Sequence, residues 1–162
     1  MRAGRVGLAA FACLLVAAAR PGAVRAQRAD SLPSATGPAA VAAAAALTAA
    51  AERVRAAWER HDAAAAVASS GRVLVQLPGA EPAAPLGQAQ AAALLGDYLA
   101  PASEVGLQLA AAREVSPDRG YVELSRRFRV AGTQEVRSQS LLLGYRRDGA
   151  GEWRLAELRV VE

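Results

Sequence analysis

The dominant hydrophobic period of the chain shifts near residue 100, and that shift limits the folds open to it. Before that point apolar residues recur mainly at helical spacing, apart from one short strand-like run. From residue 104 onward they follow strand periodicity, interrupted by three stretches of turn chemistry: Ser116-Pro117-Asp118-Arg119-Gly120, Ala131-Gly132-Thr133 and Asp148-Gly149-Ala150-Gly151. Four strands joined by three short turns predict an antiparallel meander. Helices grouped early and a curved sheet grouped late predict an α+β domain, because the helices have only one sheet face against which to bury their stripes.

In the first part, Leu47, Ala51, Val54, Trp58 and His61 fall on one stripe and predict a helix over 42–60. Its other face carries Glu52, Arg53, Arg55, Glu59 and Arg60, as a solvated face should. Asp62 reads as the N-cap of a short helix over Ala63–Ala68, closed by Ser69-Ser70-Gly71. Val73, Leu74, Val75 and Leu77 predict a short strand that Pro78-Gly79 stops. After a proline-rich loop to Gly87, the positions of Ala91, Leu94, Leu95, Tyr98 and Leu99 predict a helix over 88–99, ended by Pro101.

A length of 162 residues implies one domain. The chain has 19 basic residues, all arginine, against 15 acidic ones. Arg2, Arg5, Arg20 and Arg25 lie in the first 26 residues with no acid, so the rest of the chain balances to zero. A neutral domain without lysine clusters lacks the phosphate-neutralising charge that nucleic-acid affinity needs. Residues 1–26 read as a secretory signal, with a basic start, an apolar run over 7–19 and small residues around Arg25. A membrane anchor would need about 20 uninterrupted apolar residues; Arg20, Pro21 and Arg25 break the run first, so no stable membrane span is expected after cleavage. Residues 27–41, with Pro33, Gly37 and Pro38 among small polar residues, are expected to form a flexible linker, leaving 42–162 as the domain. Cleavage after Ala26 removes Cys13, the single cysteine, and with it disulfides, thiol nucleophiles and thiolate metal sites.

The order of elements, with Trp58-x-x-His61-Asp62 closing the long helix and Trp153-Arg154-Leu155 in the last strand, resembles the nuclear transport factor 2-like cone fold over about residues 45–162. Ketosteroid isomerase-like and SnoaL-like domains share that fold. Leu77-Pro78-Gly79, Gln90, Asp97-Tyr98-Leu99 and the terminal Leu155-Ala156-Glu157-Leu158-Arg159-Val160 look like a family of exported bacterial proteins of unknown function. The resemblance implies a cone-shaped roll, with N-terminal helices packed in a curved, mainly antiparallel sheet. It also implies a pocket between helices and sheet, and pairing of two protomers through the outer sheet face.

Five residues are candidates to line that pocket: Trp58, His61, Tyr98, Arg126 and Glu157. His61, the only histidine, is either a general base or a helix-terminal residue packed on the rim. Asp62 beside it cannot face it on a helix, so capping is its expected role. Arg126 shares a strand face with Val122, Leu124, Phe128 and Val130. A guanidinium there is answered by a carboxylate such as Glu157, which alternation puts on the side of Trp153, Leu155 and Val161, or it snorkels to the sheet edge, or it contacts an anionic ligand. Glu123, Ser125, Arg127 and Arg129 share the opposite face with Tyr121, either as a polar, anion-binding strip or as a solvated face with cross-strand charge pairing. Leu141-Leu142-Leu143 breaks alternation and predicts a strand covered on both faces, one of them by a second protomer. Tyr98 and Tyr145 are candidate hydroxyl donors to a carbonyl, but no pocket aspartate is placed to abstract a proton, so isomerase activity does not carry over. No phosphate loop, metal-ligand cluster or nucleophile elbow is present in the sequence. The sequence therefore predicts an exported, non-catalytic domain, needing no cofactor or metal, that binds a small apolar or weakly anionic ligand or a protein partner as a homodimer. Two alternatives remain open: a small hydrolase or isomerase using His61 with Tyr98 or Arg126, and a purely structural dimerisation module.

Overall fold

The structure is a computed structural model that describes residues 37–79 and 84–162; the expected leader and residues 27–36 of the expected linker lie outside these. Helix α1 runs Pro38–Glu59, with Gly37 at its N-cap and Pro38 at the first helical position, where a missing N–H costs nothing. It begins four residues earlier than the periodicity predicts, because the alanine run before Leu47 has no stripe to read yet is the best helix former available. The helix ends in a Schellman arrangement: His61 N–H donates to the Trp58 carbonyl and Asp62 N–H to the Ala57 carbonyl, both at 2.9 Å. His61 takes the left-handed position, φ 56°, that glycine normally fills. It therefore lies just past the helix rather than on its last turn. Asp62 then caps α2 (Ala63–Ala66), accepting from the Ala65 N–H at 2.9 Å. The capping expectation holds, and the helix is one short turn.

Strand β1 (Arg72–Gln76) and the two-residue β2 (Leu86–Gly87) precede α3 (Gln88–Leu99). The meander follows as β3 (Ala102–Ser116), β4 (Arg119–Val130), β5 (Val136–Arg147) and β6 (Trp153–Val161), with turns at the three expected places. The sheet order is β2-β1-β6-β5-β4-β3, antiparallel throughout except where β1 runs parallel to β6. Three register shifts along β3 and one in β6 break the regular pleat, and shifts of this kind bend a sheet. The result is the α+β roll that the sequence predicts.

The helices bury their stripes against the concave face: Leu47, Ala51, Val54 and Trp58 from α1 and Ala91, Leu95 and Leu99 from α3 meet Leu124, Leu141, Leu143 and Leu155. Alternation along β4 gives Val122, Leu124, Arg126 and Phe128 to this core and Tyr121, Glu123, Ser125 and Arg127 to the other face. Gly120 lets α1 approach the sheet, since a Cβ there would sit 2.7 Å from a Leu47 methyl carbon. The β6 shift corrects one expectation. Tyr145 pairs with Leu155 but Gly144 pairs with Glu157, so Ala156 is an extra residue and the parity of the strand reverses after it. Glu157 and Val161 consequently point away from the core that holds Trp153 and Leu155.

Candidate functional site

One guanidinium organises the polar interior. Arg126 is 1% exposed on β4, and burying an arginine without a partner would cost several kcal/mol, about 3–5. Glu104 on β3 answers it. Arg126 Nη2 donates to Glu104 Oε1 at 2.6 Å, and Nε donates to both carboxylate oxygens at 3.1 Å. The Glu104 side chain is itself only 7% exposed. Nη1 donates to the Gln139 side-chain oxygen on β5 at 3.0 Å and to the Tyr98 hydroxyl on α3 at 3.2 Å. The Tyr98 hydroxyl in turn donates a hydrogen bond to the same Gln139 oxygen at 2.7 Å. The facing guanidinium fixes the amide of Gln139, because only its oxygen can accept there.

Aromatic rings close the site around this charge. The Phe128 ring centroid lies 4.1 Å from the Arg126 guanidinium carbon, Trp58 5.3 Å and Tyr98 5.4 Å. Trp58 and Tyr98 meet edge to face, with centroids 6.3 Å apart. Each contact is the kind a desolvated cation favours. Burial pushes the Tyr98 hydroxyl above its ordinary pKa, with Arg126 opposing the shift. His61 stands at the rim with a third of its side chain exposed and Nε2 3.7 Å from Glu104 Oε1, an electrostatic contact rather than a hydrogen bond. Trp58 Nε1 is buried with no hydrogen-bond partner among the described residues.

The structure thus brings together Trp58, His61, Tyr98 and Arg126 and separates Glu157 from them. Glu157 bonds Arg159 on the outer sheet face, so it is not the carboxylate that answers Arg126. The sequence reading missed Glu104 and Gln139. Gln139 carries a usable signal, since it keeps the parity of Leu141 and Leu143. Glu104 does not, because the register shift next to it, between Glu104 and Gly106, makes parity along β3 unreadable. Tyr145 joins the core with its hydroxyl buried and unpartnered among the described residues, and burial raises its pKa strongly. Among the described residues no group of three acidic, histidine or cysteine side chains is placed to hold a metal, and no helix is long and apolar enough to cross a membrane.

The outer sheet face carries a second feature, an open hollow of about 500 Å³. Gly144 forms its floor: a Cβ there would lie 3.0 Å from Glu157 Cβ and 3.3 Å from the Tyr121 ring. Tyr121 and Leu142 supply apolar walls, while Arg113, Glu123, Glu157 and Arg159 supply two charges of each sign. Leu142 is partly exposed, so within one chain β5 is covered on its concave face only.

No protein-family model matches the sequence, and no curated protein is similar to it. Solved structures do match the fold. A ketosteroid isomerase-like protein from Erwinia carotovora atroseptica superposes with a TM-score of 0.60 at 21% identity, covering 72% of this chain and 93% of the other. A nuclear transport factor 2-like protein of unknown function from Pseudomonas putida gives 0.58 at 19%, covering 75% and 87%. A domain of unknown function with a cystatin-like fold from Nostoc punctiforme gives 0.59 at 17%, covering 74% and 76%. The chain has the nuclear transport factor 2-like fold.

Proposed function

We propose that the protein is an exported, non-catalytic binding module that takes a small apolar or weakly anionic ligand at the mouth of its cone. The observation that carries this reading is the convergence of Trp58, His61, Tyr98 and Arg126 on one aromatic-walled polar cluster in which Arg126, Glu104 and Tyr98 are already hydrogen-bonded. A paired cluster recognises and orients. It is poorly suited to proton transfer, because the Tyr98 proton is engaged by Gln139 and His61 has no hydrogen bond that fixes its ring among the described residues. The test is to purify wild-type protein and the Glu104→Leu/Arg126→Met double variant from the envelope, denature both, and analyse released small molecules by mass spectrometry. Replacing both members of the pair avoids stranding a charge. A compound released by the wild type and missing from the variant is the expected result; identical extracts contradict the reading.

A second reading concerns assembly and rests on the outer hollow. Apolar Tyr121 and Leu142 stand where a sheet facing water carries polar residues, and the charges around them balance. Two arginines and two carboxylates on one wall let a second copy, turned about a suitably placed two-fold axis, set acids against arginines, and this supports self-complementarity. The occupant in this reading is a second copy of the chain, making the module a homodimer.

A further inference from the structure

We infer that Glu104 is a resident stand-in for a ligand carboxylate, and that the site binds small monocarboxylates with an apolar ring or chain by exchanging them for Glu104. The inference rests on the ligand-binding reading above and specifies its chemical class. Three observations lead to it. First, the fork of Arg126 is engaged by a carboxylate in the geometry with which arginine recognises free carboxylates, with Nε and Nη2 directed at one group. Second, a donor beside the guanidinium is spare: Trp58, whose ring centroid lies 5.3 Å from the Arg126 guanidinium carbon, has a buried Nε1 with no acceptor among the described residues. Third, Glu104 is the member of the network best placed to move. It lies on β3, the terminal strand of the sheet, at a register shift, and it is paired to a neighbouring strand on one side only. Its carboxylate lies 3.7 Å from Nε2 of His61, a third of whose side chain is exposed at the rim.

The rest of the wall sets the apolar part of the ligand. Phe128, Trp58 and Tyr98 present ring surface around the guanidinium, so a carboxylate carrying an aromatic or short aliphatic group meets both of its requirements at one place. A displaced Glu104 side chain swings to the solvated rim beside His61, and exchange of one carboxylate for another leaves the charge on Arg126 neutralised throughout.

The test uses phenylacetate and its neutral analogue phenylacetamide as probes, read by the NMR signal of the Trp58 indole N–H in the full chain. Wild-type protein is expected to bind phenylacetate weakly, and Glu104→Ala to bind it about tenfold or more tightly, with phenylacetamide leaving the signal unmoved in both. Should Glu104→Ala fail to fold, Glu104→Gln keeps the volume and removes the competing charge, and a gain in phenylacetate affinity is again expected. Equal binding of acid and amide overturns the exchange while leaving a ligand site in place. A response to phenylacetate in the variant alone also overturns it, since Glu104 would then be a fixed structural partner. No response to either probe in either protein defeats the inference together with the ligand-binding reading beneath it.

Discussion

Arg126 and Glu104 form a buried pair whose two halves are unequal in what the sequence discloses. The guanidinium is legible because it interrupts an apolar strand face between Leu124 and Phe128. Its partner is not. Counting by twos from Trp153 selects Glu157, but Ala156 adds one residue to β6 and turns that carboxylate to the opposite face. The true partner sits beside a register shift in β3. Parity is a running count, and a single inserted residue makes every later assignment wrong. Removing one member of the pair leaves the other buried and uncompensated, so Glu104→Gln is expected to lose about 3–5 kcal/mol in urea unfolding, while Glu104→Leu/Arg126→Met recovers most of that loss. His61 invites a change in the other direction. Its left-handed conformation favours glycine, so His61→Gly is expected to raise stability by about 1 kcal/mol in the same assay. Burial raises the pKa values of Tyr98 and Tyr145 in the folded chain above the ordinary 10.0. Their contribution is complete below that pH and is lost as pH climbs beyond it, because the unfolded chain releases those protons first. Stability is therefore expected to fall above pH 10, and Tyr145→Phe to flatten that fall.

At the scale of elements, the sequence discloses most where local chemistry decides. Turns at Pro117-Asp118, Gly132 and Asp148-Gly149 needed only their own residues, and the 88–99 helix matches its stripe at both ends. The start of α1 did not follow from its stripe, since helix propensity without a tertiary contact leaves no periodic trace. Docking of α1 depends on Gly120, whose significance appears only when the helix is laid on β4. Gly120→Ala forces the buried methyls of Leu47 to yield and is expected to cost about 1–3 kcal/mol. Adding Leu47→Ala should then cost less than it does alone, a coupling that a double-mutant cycle measures.

For the whole molecule, the cone supplies two surfaces with different chemistry. The concave side holds a charge pair enclosed by aromatic rings; the convex side holds a glycine-floored hollow with balanced charge at its walls. The sequence predicts a pocket lined by Trp58 and Arg126 and an apolar outer face at Leu141-Leu142-Leu143; the Arg126–Glu104 pair and the glycine-floored hollow become visible only with the strands in register. Leu142→Arg on the convex face should convert a dimer to a monomer in sedimentation equilibrium without altering the fold, because that side chain contributes to no core contact within one chain. The most direct measurement of the account is native mass spectrometry of the intact protein taken from the envelope. The prediction is a species of twice the mass of the chain after signal cleavage, carrying a low-molecular-weight adduct that disappears in Glu104→Leu/Arg126→Met. A bare monomer, the same in wild type and variant, would contradict it.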